Sequence, residues 1–157
     1  MSEVSRIQDQ LKRTYEAGAW HGASVQETLA GVTSEMAATK PGSGAHSIWE
    51  IVLHMITWMN VPRQRILDAR VSPTSAEEDW PAARGSGDDA WKAALERLTE
   101  AYRLLQQTLS QLDDSQLDRI VEGSEGTSIY VLLHGVIHHN LYHAGQIAIL
   151  KKVQSTK

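Results

Sequence analysis

The chain has 157 residues, 41% of them apolar, a formal charge of −4 and no cysteine. That length suits one domain with a real core, and the absence of cysteine excludes disulfides, zinc–thiolate knots and a cysteine nucleophile. Lysines and arginines are scattered, with a small cluster only at Lys151-Lys152, which argues against dependence on phosphate-backbone contacts, and nucleic acid is not an expected partner.

Helical periodicity dominates, with no strand alternation and no internal repeat. A first helix is predicted from about Glu3 to Ala17, with Val4, Ile7, Leu11 and Tyr15 on one stripe. Gly18 and Gly22 bracket an irregular corner. Ser24-Val25-Gln26-Glu27 has capping-box spacing and opens a short helix through Leu29, and Ser34 to Ala38 adds a turn before the loop Pro41-Gly42-Ser43-Gly44. The second long helix starts near His46 or Ser47 and carries Ile48, Ile51, Val52, Met55, Ile56 and Met59. Pro62 removes one internal hydrogen bond and predicts a kink, since Arg63 to Arg70 reads as helix again. Residues Val71 to Gly87, rich in proline, glycine and small polar residues, read as a long surface connection. The third helix spans about Asp88 to Leu112, with Asp88 and Asp89 at its positive end and a seam of Trp91, Leu95, Leu98, Tyr102, Leu105 and Leu109. A turn around Ser115 to Leu117 follows, then a loop with Gly123 and Gly126. The fourth helix runs from Thr127 or Ser128 to Val153. The expected fold class is all-α: a single four-helix-bundle domain over residues 1–157, in which cofactor sites are built from inward-facing side chains.

The last helix holds His134, His138, His139 and His143, giving two pairs at a spacing of four. Four residues return a side chain to the same helix face, so either pair can chelate one cation. Leu132, Leu133, Val136, Ile137, Leu141, Ala144, Ile147 and Leu150 define the apolar face. His139 and His143 lie at its edge, whereas His134 and His138 fall farther round, so the former pair is preferred. His54, on the second helix, is the best third ligand. Three neutral nitrogens on a metal leave positions open, the arrangement of a catalytic site. Without thiolates the donor set suits zinc, nickel, iron or manganese. The competing reading makes the pair solvated or separately hydrogen-bonded histidines, and His54 a satisfied core residue.

The segments Trp20-His21-Gly22, His46-Ser47-Ile48-Trp49-Glu50-Ile51-Val52-Leu53-His54 and His139-Asn140-Leu141-Tyr142-His143-Ala144-Gly145-Gln146-Ile147 resemble the DinB-like (YfiT-type) superfamily of metalloenzymes, and the likeness covers nearly the whole chain. The resemblance implies a four-helix bundle with a three-histidine site for one divalent metal ion, zinc or nickel foremost and manganese or iron next. By position its ligands are His54, His139 and His143, the trio already chosen on geometry. It further implies a transferase that joins a low-molecular-weight thiol, of the bacillithiol or mycothiol type, to an electrophilic small molecule. Two alternatives stay open: a hydrolase in which water at the metal is the nucleophile, and a non-catalytic, stress-related metal-binding module.

Glu50 stands one turn before His54. It is the candidate catalytic residue, as general base, extra ligand or acceptor behind a ligand, although a surface carboxylate near the helix N-terminus has the same spacing. His46, Trp58, Tyr142 and Gln146 are candidate substrate-binding residues. His46 can also simply cap its helix, and Trp58 and Tyr142 can be core. Gly145 is expected to permit close helix packing, and His134 with His138 forms a reserve pair. A homodimer is expected for an amphipathic bundle of this size. No apolar run reaches membrane-span length and Met1-Ser2-Glu3-Val4-Ser5-Arg6 lacks the pattern of a signal peptide, so a cytoplasmic protein without membrane association is expected.

Overall fold

Short oxygen-bearing side chains stand just before most of the helical segments and start them by accepting otherwise unpaired backbone N–H groups. Ser2 caps α1 (Glu3–Tyr15), Ser24 caps α2 (Val25–Leu29) and Thr33 caps α3 (Ser34–Ala38). Ser47 caps α4 (Ile48–Asp68) and Ser75 caps α5 (Ala76–Asp79). At Ser24, Ser47 and Ser75 the cap is a reciprocal box, closed by Glu27, Glu50 and Glu78. Then come α6 (Gly87–Leu109), a 3-10 turn over Asp114–Gln116, and α7 (Ile129–Ser155). The structure, a computed structural model, describes residues 1–155, and no strand occurs among them.

The four long helices close a ring in which α4 packs on α6 and α7, and α1 packs on the same two from the other side. Their inward faces supply the core, with Leu11, Met55, Met59, Leu98, Leu105, Leu133 and Ile147 fully buried. Burying side chains of this size contributes about 1.5–3 kcal/mol each. α2 rests on α7, α3 on α4 and α6, and α5 on α4. An isolated bridge, Arg70–Glu122, pins the segment before α7 to the chain just after α4, and a second, Ile120–Ser128, closes that segment on itself. No described helix is long and apolar enough to cross a membrane.

Two differences from the sequence expectation have local causes. The first helix stops at Tyr15 because the chain turns into Gly18, whose φ of +79° no continuing helix adopts. As the helical reading of Arg63 to Arg70 expects, α4 continues through the buried Pro62 to Asp68. The connection Val71 to Gly87 is not wholly superficial. Its middle folds into α5 against α4, leaving Asp79 and Trp80 half-buried.

Candidate metal centre

His54 and His143 are 6% and 3% exposed, and His139 is half-buried between them and solvent. The His139 Nε2 lies 3.0 Å from the Nε2 of His54 and 3.0 Å from that of His143. All three ligand atoms fall within 4.8 Å of one another. The structure therefore brings together one imidazole from α4 and two from α7, as helical spacing and the bundle require. His134 and His138 stay outside. Their rings are 6.2 Å apart, and His134 packs on Tyr130 on the outer side of α7.

The outer nitrogens decide which atoms face inward. His54 Nδ1 lies 2.7 Å from the Asp79 main-chain carbonyl, which can only accept, so Nδ1 carries the proton and donates it. His143 Nδ1 donates in the same way to Gln146 Oε1 at 2.7 Å. Both Nε2 atoms are thereby left as bare lone pairs aimed at His139 Nε2. A single N–H at His139 can satisfy only one of them at a time. A cation satisfies all three, so the donor set fits a metal ion, with orienting partners behind two of the ligands. Burial pushes His139 down to about 3, the neighbouring His143 and His54 rings adding to the effect while Asp79 opposes it. His143 is lowered too, first by burial. Both are neutral at pH 7, the form a metal requires.

α5 contributes a wall that the sequence reading missed. Asp79 Oδ1 accepts from Trp58 Nε1 at 2.6 Å and approaches His54 Nδ1 at 3.2 Å. Trp80 stacks on His54 with ring centres 3.8 Å apart, and on His46 at 3.5 Å. One signal for this was available: Ser75-Ala76-Glu77-Glu78 has the capping-box spacing of Ser24 to Glu27.

Two clefts flank the imidazoles. One, of about 300 Å³, lies beside His139 and is walled by Trp58, Pro62, Val131, Leu132 and Val136. The other, of about 430 Å³, lies beside His143, with His46, Ile51, Trp80, Tyr142 and Gln146. A larger depression of about 450 Å³, around Asn60, Ser72 and Arg97, includes none of the histidines and is set aside as a reaction site.

The proposed substrate contacts divide accordingly. Trp58 lines the first cleft and His46, Tyr142 and Gln146 the second, Tyr142 being largely exposed and Gln146 engaged with His143. Glu50 differs from its assignment. One carboxylate oxygen accepts the Ser47 N–H at 2.9 Å and the other pairs with Lys40 at 2.8 Å, while His46 Nδ1 stands 3.7 Å away. Partial burial opposes ionisation, yet Lys40 and the Ser47 amide hold the carboxyl below its usual range. It belongs to the helix cap, and no hydrogen bond joins it to the three imidazoles. Gly145 is also corrected: a Cβ there would meet nothing within 4 Å, so no close packing inside the chain demands glycine.

A helical bundle that gathers three imidazoles around one point carries a donor set that could hold a metal ion. The family is shown by a match to the DinB superfamily over residues 17–147, and the chain belongs to that superfamily. No curated protein and no solved structure matches it significantly.

Proposed function

We propose that this protein transfers a low-molecular-weight thiol of the bacillithiol or mycothiol type to an electrophilic small molecule. The observation that carries the reading is the point of three converging nitrogens with a separate cleft on either side, one for each reactant. The chain has no cysteine, so the sulfur nucleophile is supplied from outside. A divalent ion, zinc or nickel foremost, supplies Lewis acidity that favours the thiolate.

His54, His139 and His143 hold the ion. His46 faces the cleft beside His143 and takes the thiol proton. Trp58, Pro62 and Val136 keep water from the electrophile in the other cleft. The sulfur electron pair forms the new S–C bond. The pair from the bond that breaks goes to the leaving group or, in an addition, takes up a proton. A homodimer is proposed with this reading; sedimentation of the wild type over a concentration series tests it.

The functional test is metal analysis of wild type, His54→Ala, His139→Ala and His134→Ala, with each assayed on an electrophile panel with and without added thiol. The first two variants are expected to lose both metal and turnover, and His134→Ala to keep both. Turnover without any thiol would replace the reading by the hydrolase. Inertness towards every electrophile, with metal loss lowering only thermal stability, would replace it by the non-catalytic module.

A further inference from the structure

The cleft beside His139 continues beyond the imidazoles. Thr127 and Leu132 form part of its wall and also part of the wall of an adjoining depression of about 260 Å³, so the two meet in one groove. Arg65 borders the far part. It stands seven residues beyond Trp58 on α4, a rise of about 10 Å along the helix. Its guanidinium carbon lies 5.8 Å from the Trp58 ring centre, so the same indole borders the near part and supports the cation at the far end.

That cation has no anionic partner. Arg65 Nε is buried without an acceptor, and among the described residues no hydrogen bond or ion pair engages the guanidinium. Among the described residues no carboxylate along the neighbouring walls pairs with it: Glu78 accepts the Ser75 N–H at 2.8 Å, and the exposed Glu77 and Glu125 make no ion pair with Arg65. The side chain is half-buried with its Nε enclosed and without an acceptor, so an incoming anion gains directed, charge-assisted hydrogen bonds from the guanidinium. Between Arg65 and His139 the groove offers mainly apolar surface, from Leu132, Val131, Pro62 and Val136.

We propose that this groove selects an apolar substrate bearing an anionic group, the anion resting on Arg65 and the reacting end lying at the three histidines. The inference deepens the proposed function by giving the electrophile a chemical class, and it rests on that reading only for the identity of the reacting end.

The probes are 4-phenylbutyrate and 4-phenylbutanamide, equal in shape and different in charge. Calorimetric titration into metal-loaded wild type is expected to show the carboxylate binding about tenfold tighter, the size of a charge-assisted hydrogen bond. The preference is expected to persist after chelation of the metal. Arg65→Met should bring the two affinities within about twofold while leaving amide affinity and melting temperature unchanged, and Arg65→Lys should restore part of the preference. Equal binding of both probes by wild type overturns the proposal. So does a preference that survives Arg65→Met and disappears on chelation, because the carboxylate would then be sitting on the cation. As the chelated arm involves neither thiol nor turnover, failure of the transferase reading leaves its result standing.

Discussion

The Trp80 indole lies parallel to the His54 imidazole, with ring centres 3.8 Å apart and planes 7° apart. The same indole stacks on His46 at 3.5 Å and 4°. The residue that caps the C-terminus of the four-residue helix α5 thus fixes the ring plane of one ligand, while the preceding carbonyl, that of Asp79, fixes its tautomer. Groups behind a metal ligand typically change affinity by about 10–100-fold when removed. Trp80→Ala is expected to weaken metal binding by about tenfold in competition titrations with a chelator, and Trp80→Phe to recover most of the loss. Equal affinities in all three proteins would show that the stack orients nothing.

The trio was legible because helical spacing is a local property. His139 and His143 stand four positions apart, and the apolar face of α7 selects that pair over His134 and His138. Asp79 and Trp80 were illegible because their position depends on the path of a connection folding back on α4, which periodicity does not encode. Glu50 shows the opposite error. Its nearness to His54 along the helix suggested chemistry, while Ser47-Ile48-Trp49-Glu50 already carried the spacing of a capping box.

That correction has its own consequence. Glu50→Ala removes the reciprocal half of the cap and the Lys40 pair, which together stabilise the fold by about 1 kcal/mol. The melting temperature is expected to fall by about 2–4 °C, with metal content unchanged. Loss of metal at an unaltered melting temperature would return Glu50 to the ligand shell.

Gly145 offers a change in the other direction. It is exposed within α7, and an added Cβ would meet nothing within 4 Å. Glycine costs about 1 kcal/mol relative to alanine inside a helix, mostly through backbone entropy. Gly145→Ala should therefore raise the melting temperature by about 2–4 °C without altering metal content. A lower melting temperature would mean that another surface approaches this position closely.

Acid is expected to destabilise the metal-free protein earlier than its carboxylates alone would dictate. His139 takes a proton at about 6.5 when exposed but only at about 3 in the folded chain, burial being the main cause and the two adjacent imidazoles the next. The folded state therefore binds fewer protons than the unfolded state between these values, and stability rises with pH across that window. His139's contribution is present in full above about pH 6.5, falls away as pH drops towards about 3, and His143 acts in the same direction. Denaturant titrations of chelator-treated wild type and His139→Gln at several pH values between 8 and 4 isolate the effect. The wild type should lose more stability than the variant on acidification, and parallel curves would show that His139 is protonated as readily in the fold as outside it.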